Sequence, residues 1–433
     1  VVDVSILNKE DVIQQLLEIV KSETKPAVGC TEPVAVALTV ATAKKYFKGD
    51  VVKIDLKVSR NIYKNGKSVT IPNTTECGVH MAAALGEICG DSDAGLMVFK
   101  NVNQDHVIKA KAIIENQVVS VTPVSDEDAV FVQVTLRGHE EEVIVTLRGS
   151  HTNIDQVVVN GKVIFKGGLV KVNTESYSFF KALTLKDLRI IAEEIPSEKL
   201  AFIDDGIIMN KEAAYEGLKR NNGLHWGSSL LKLQEQGKIG KDSATTARIL
   251  TAAGSDLRMG GGTCPIMTSG GSGNQGLCVI LPIMVVAEDL GLDRDTLRRA
   301  VFLGHAVNNF VKKYTGKLSA ICGCAIAAGI GAGAGVSWLL GGKDKEIQGT
   351  IHNMLANLTG MVCDGAKESC AIKLSTSAAE AIICAYLAQS GTIVPTKTGI
   401  IGNTAEGTIE NLGLLCRDGF SRADDVMIAI ACE

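Results

Sequence analysis

The stretch Thr184-Leu-Lys-Asp-Leu-Arg-Ile-Ile-Ala-Glu-Glu-Ile195 divides the chain into two kinds of sequence. Its apolar residues recur with a period of about 3.6, which makes one face of a helix. After it nearly everything repeats that period: 210–220, 228–236, 243–253, 276–289, 293–314, 325–340, 343–358 and 375–389 read as helices, with Gly, Asn, Asp or Pro at the joints. Before it the pattern is different. Residues 51–58 alternate like a strand, and 95–99, 107–114, 118–124, 130–136, 142–147, 156–159 and 162–165 are β-like runs. Residues 7–21, 32–45 and 75–89 have helical spacing, with Pro33 at a favoured first-turn position. The expected fold class is α+β. A mixed α/β domain over 1–183 carries N-terminal helices, and an all-helical domain over 184–433 follows it.

Composition narrows the function classes. A chain of 433 residues that is 46% hydrophobic can bury a substantial core. Its net charge of -4 and lack of a basic stripe argue against nucleic acid and a membrane surface. The longest apolar stretch, 320–340, is interrupted by five glycines and reads as a tightly packed buried helix rather than a membrane span. Twelve cysteines without a secretion signal point to a reducing cytoplasm. Among them Cys77, Cys89, Cys278, Cys384 and Cys416 lie in apolar or helical runs and read as buried small hydrophobes.

The remaining cysteines sit among glycines. They lie in Ile321-Cys-Gly-Cys324, in Cys363-Asp-Gly-Ala-Lys-Glu-Ser-Cys370 and, alone, in Gly29-Cys-Thr-Glu-Pro33. Thiolates suit iron–sulfur clusters and zinc. Cys322 and Cys324 do not share one face of a helix, so one of them is expected as a ligand. Cys363 and Cys370 are seven apart, too far for a zinc-ribbon knuckle. Spacing alone leaves cluster, zinc and inert thiols open. Cys30, just ahead of a helix, is expected to have a lowered pKa, while Thr31 has the position of a helix cap.

A second segment runs from Arg258 through Thr268-Ser-Gly-Gly-Ser-Gly-Asn-Gln-Gly276 into a helix. Backbone N–H groups and the helix dipole there make an anion site, and a carboxylate is the expected anion. Without Gly-Lys-Ser/Thr it is no P-loop. Asn61 and Lys64, and Asn73 after Pro72, are turn formers or polar site residues. His305 with Asn308 on an apolar helix reads as a satisfied core histidine or a site residue. Lys25, Lys367 and Lys373 have no surroundings suited to a pyridoxal Schiff base, so no PLP is expected.

Together these motifs resemble the L-cysteine desulfidase family, related to the iron–sulfur L-serine dehydratases. The likeness covers essentially the whole chain, and Gly360-Met-Val-Cys-Asp-Gly-Ala-Lys-Glu-Ser-Cys-Ala-Ile-Lys373 is its most specific part. It implies a 4Fe–4S enzyme that converts L-cysteine to pyruvate, ammonia and hydrogen sulfide. It implies Cys363, Cys370 and Cys322 (or Cys324) as cluster ligands and Cys30 as the catalytic base. Thr31, Glu32, Asn61, Asn73, Thr268, Ser269, Gly270, Gly271 and Asn274 are the expected substrate-binding residues. The Gly-Pro-Ser-Ser-Ser-His-Thr segment of the serine dehydratases is absent, and Gly-Cys-Thr-Glu-Pro stands in its place, which favours cysteine. The alternatives are an iron–sulfur L-serine/L-threonine dehydratase and a non-catalytic cluster sensor. The expected partner is the small-molecule substrate, and a homodimer is compatible with the sequence.

Overall fold

In the computed structural model, which describes residues 9–168, 179–180, 182–220, 222–316, 319–420 and 422–432, the change of pattern near 184 is a change of architecture. In chain order the elements are α1 (Lys9–Glu23), β1 (Pro26–Ala27), α2 (Thr31–Tyr46), β2 (Lys53–Ser59), α3 (Arg60–Gly66), α4 (Val79–Cys89), α5 (Gln104–Glu115), β3 (Val119–Val124), β4 (Phe131–Arg137), β5 (Glu142–Arg148), β6 (Ile154–Val159) and β7 (Lys162–Lys166). The helical part continues with α6 (Leu185–Glu194), α7 (Phe202–Lys219), α8 (Trp226–Glu235), α9 (Ser243–Met259), the short strand β8 (Ile266–Met267), α10 (Gly273–Asp289), α11 (Arg294–Thr315), α12 (Ala327–Leu339), α13 (Asp344–Leu358), α14 (Cys370–Gln389), α15 (Ala405–Leu414) and α16 (Ala423–Cys432).

Strand order in the main sheet is β3-β2-β4-β5-β6-β7. The β2–β3 pair is parallel and the others are antiparallel. Alternation sets the covered face: Ile54, Leu56 and Val58, Val132, Val134 and Leu136, and Val143, Val145 and Leu147 are buried in one core with α2, α4 and α5.

Two expected strands are not strands. Residues 107–114 lie in α5, because Asn103 caps that helix by accepting from His106 N and Val107 and Ala110 form its buried face. Residues 95–99 overlap a short 3-10 helix, Ser92–Met97. Cys77 is exposed rather than buried, and Cys89 and Cys416 are half-buried. The part of the N-terminal helix before Lys9, and residues 169–172, lie outside the described residues.

The glycines of α12 serve helix packing. A Cβ on Gly331 would stand 2.4 Å from the Gly304 carbonyl oxygen, so only glycine lets α12 approach α11 this closely. Among the described residues one helix, Cys370–Gln389, is long and apolar enough to cross a membrane, and it packs against α9, α12 and α13.

The two parts are laced together. Leu16, Leu17, Ile19 and Val20 of α1 belong to the helical core, so the six-stranded sheet lies wholly before position 183 but that position does not separate the two cores. At the other end α16 returns to α3, where the buried Lys64 pairs with Asp424 at 2.5 Å.

Candidate functional site

A two-stranded ribbon, β1 with β8, pairs Pro26 with Met267 and Ala27 with Ile266. It brings the Cys30 segment beside the Gly-rich loop. Thr268 fixes the junction: its N–H donates to Lys25 O (3.0 Å), its hydroxyl donates to Glu23 O (3.0 Å) and accepts from Lys25 N–H (2.9 Å). Ser269 anchors the loop from behind, 2.8 Å from His305 Nδ1 and accepting from Asn308 Nδ2 at 2.9 Å. Burial holds His305 down to about 3, so its ring is neutral. Thr268, Ser269, His305 and Asn308 therefore hold the loop and do not line the cavity in front of it.

That cavity, about 140 Å³, is lined by Cys30, Cys322, Cys324, Cys363 and Cys370, by Thr31 and Glu32, and by Gly270, Gly271, Ser272, Asn274 and Gln275 of the loop. The late cysteines meet through a backbone ladder. Ile321 pairs with Val362, Cys322 N–H donates to Met361 O (2.8 Å), and Cys363 N–H donates to Ala320 O (2.7 Å). Gly365, at φ +101°, packs against Lys64 O, where a Cβ would stand 2.5 Å away. Asp364 braces the turn by pairing with Lys367 and Lys373, each at 2.6 Å.

Cys322 and Cys324 precede α12 rather than lying on it, so helical geometry does not separate them. Both face the cavity. Their shared hydrogen bond, with burial, pushes Cys322 well up, and the same bond holds Cys324 down to about 7. Burial raises Cys363, and lifts Cys370 to about 11.

Among the described residues no three His, Cys, Asp or Glu side chains converge as they would on one metal ion. A cluster makes a different demand: its thiolates go to separate irons. Thiols from two separate segments around one cavity fit that donor set: Cys363 and Cys370, with Cys322 or Cys324, are the residues that would hold it.

Cys30, not Thr31, is the N-cap of α2, and Thr31 is the first helical residue. The Cys30 thiol donates to Glu32 Oε2 at 3.1 Å, and Asn65 Nδ2 donates to Glu32 Oε1 at 3.0 Å. Burial first, then the Glu32 charge, pushes the Cys30 thiol well above its ordinary value, despite the charge of Arg258. Burial also pushes Glu32 up, but the His151 charge and hydrogen bonds from Cys30, from its own backbone and from Asn65 more than offset it. Its carboxyl titrates below the usual value. The expected lowered pKa of Cys30 is thus corrected: the thiol is protonated and Glu32 carries the charge.

Two expected residues lie elsewhere. Asn61 is in α3, off the cavity, with its Oδ1 buried and without a hydrogen-bond partner. Asn73, at φ +64°, donates to Phe99 O (3.4 Å) and lines a separate cavity with Pro72. Conversely, Arg258, Lys312 and His151 line the main cavity although the sequence assigns them no role. His151 sits in the β5–β6 turn, in Gly149-Ser-His-Thr152, which has no local chemical signature.

A profile of the serine dehydratase alpha chain family matches residues 93–429. The chain is similar to the UPF0597 protein of Clostridium botulinum, 70% identical over 428 residues and 99% of each chain. It is also 40% identical to the UPF0597 protein of Clostridioides difficile over 420 residues, 96% of this chain and 98% of the other. A third relative, from Alkaliphilus oremlandii, is 40% identical over 418 residues, 96% and 97% of the two chains. The chain belongs to the serine dehydratase alpha chain family and is an iron–sulfur serine dehydratase-like protein.

Proposed function

We propose that the protein is a 4Fe–4S-dependent L-cysteine desulfidase, a PLP-independent carbon–sulfur lyase that eliminates hydrosulfide from L-cysteine. The observation that carries this reading is the Cys30–Glu32 pair, a thiol 3.1 Å from a buried carboxylate, in the cavity that holds the late cysteines. Eleven of the twelve cysteines are seen as free thiols, in keeping with a reducing, cytoplasmic setting.

The reaction removes a Cα proton and breaks the Cβ–S bond. When bound to Cys322, Cys363 and Cys370, the cluster supplies Lewis acidity to the departing sulfur. Cys30 Sγ takes the Cα proton while its own proton passes to Glu32 Oε2, so the thiol is a base only as the carboxylate accepts. The electron pair left at Cα forms the Cα=Cβ bond, and the Cβ–S pair leaves with sulfur. Asn65 and His151 keep Glu32 ionised beforehand. The N-terminus of α10 directs backbone N–H groups at the substrate carboxylate. The freed aminoacrylate tautomerises and hydrolyses to pyruvate and ammonia.

Anaerobic incubation with L-cysteine tests this: sulfide and pyruvate appear in equal amounts. A higher kcat/KM for pyruvate formation from L-serine would overturn it. The description of the matching family favours that second reading, a serine dehydratase, and the same assay separates the two.

A further inference from the structure

Arg258 is a buried charged group at this cavity whose charge no carboxylate among the described residues answers. Its side chain is 3% exposed. No carboxylate among the described residues pairs with it, and its one hydrogen bond runs from Nη1 to Met259 Sδ at 3.4 Å. Its Nε is buried with no partner. A buried charge in this condition is destabilising, which makes its retention informative. The other buried cation here, Lys312, already donates to Gly270 O.

Position adds a second, independent sign. Arg258 crosses to the first turn of α10, where a Cβ on Gly273 would stand 2.5 Å from its Nε and 3.1 Å from its Cζ. Gly273 has no side chain to keep the guanidinium away. The N-cap of this 17-residue helix, Ser272, makes no side-chain capping bond. The leading N–H groups of a helix have no intrahelical acceptor, and its N-terminus carries partial positive charge. A cation against that terminus is repelled unless an anion lies between them.

We propose that Arg258 is the substrate's carboxylate receptor, a binding and specificity residue that restricts the site to α-carboxylate-bearing substrates. The planar guanidinium presents paired N–H donors that match a carboxylate, and the α10 terminus supplies further donors to the same oxygens. This deepens the lyase reading and rests on it: the carboxylate is held so that Cα faces Cys30. Arg258 is not a catalytic residue.

The test is calorimetric binding to the anaerobic, iron-loaded protein, with 3-mercaptopropionate (thiol and carboxylate) and cysteamine (thiol and amine) as probes. For Arg258→Ala, 3-mercaptopropionate binds roughly 10- to 100-fold more weakly, while cysteamine stays within about twofold. Arg258→Lys, which keeps charge but lacks the fork, loses an intermediate amount and carries the test if Arg258→Ala does not fold. The visible spectrum and iron content stay as in the wild type. Equal loss for both probes, or loss for neither, overturns the proposal. So does a changed cluster spectrum with equal losses, which would make Arg258 a counter-charge of the cluster. Binding needs no turnover, so a failed desulfidase assay leaves this result readable. 3-Hydroxypropionate and ethanolamine repeat the comparison for a site that expels hydroxide.

Discussion

The Cys30 thiol donates to Glu32 Oε2 at 3.1 Å, and the pair keeps its proton on sulfur and its charge on oxygen. Two buried anions at this distance are unfavourable, so only one group ionises, and the one with His151 and Asn65 beside it prevails. The base therefore works as a unit. Glu32→Gln keeps the shape but removes the proton acceptor, and kcat falls roughly 10²- to 10⁴-fold. Cys30→Ser falls by a similar factor. Because Glu32 ionises below the usual carboxylate range, kcat/KM shows no inflection from this pair between about pH 6 and 8. Activity that climbs steadily toward alkaline pH would show instead that a preformed thiolate is required.

The late cysteines differ in what their loss does. Cys322→Ser, Cys363→Ser and Cys370→Ser each lose the brown colour and most of the iron after anaerobic reconstitution, whereas Cys324→Ser retains both. Cys322 and Cys363 are tied by reciprocal backbone bonds to the opposite segment, at 2.8 and 2.7 Å, so their spacing is held before any metal arrives. Iron loss from Cys324→Ser with retention by Cys322→Ser would reverse the assignment.

His305 makes stability pH-dependent. Its native pKa lies at about 3 against an ordinary 6.5, because burial disfavours the charged ring. Between those values the unfolded chain binds a proton that the native ring refuses. Stability therefore rises with pH over that window: the contribution is complete above pH 6.5 and is lost as pH falls toward 3. His305→Gln flattens this dependence of the Tm between pH 6.5 and 4, measured by thermal unfolding at a series of pH values. An unchanged slope would assign the dependence to other groups.

Gly276 permits the closest approach in the site. A Cβ there would lie 1.8 Å from Met267 O, so Gly276→Ala forces α10 away from β8. The expected cost is about 1–3 kcal/mol, the usual range for overpacking, read as a lower unfolding midpoint. Cysteine turnover falls with it, because β8 leads directly into the loop held by Thr268. By contrast Gly161→Ala, in an open turn with φ +77°, leaves turnover unchanged.

Periodicity made most of the fold legible because it is a local property. Apolar residues two apart marked β2, β4 and β5, and those three and four apart marked α6 and the helices after it. The same locality produced the misreading of 107–114: Val107-Ile-Lys-Ala-Lys-Ala-Ile-Ile114 is apolar enough for a strand, but the Asn103 cap starts a helix just before it. The site was legible as residue types. Cys322 with Cys324, Cys363 and Cys370 stood out as thiols among glycines, and Gly270, Gly271 and Asn274 as a loop feeding a helix. Asn61 and Asn73 were drawn in by their polarity, although one sits in α3 and the other lines a different cavity.

The sequence by itself marked the change of pattern near 184, the candidate thiol donors and the family of motifs, since each depends only on neighbours along the chain. The tertiary structure decided which of these groups meet. Residue 26 pairs with 267, and residue 322 bonds to 361. It also decided charge: burial keeps Cys30 protonated, the His151 charge and hydrogen bonds keep Glu32 ionised against burial, and no carboxylate among the described residues pairs with Arg258. A pattern of apolar and polar residues records which faces are covered, but desolvation and pairing across hundreds of residues exist only once the chain has folded.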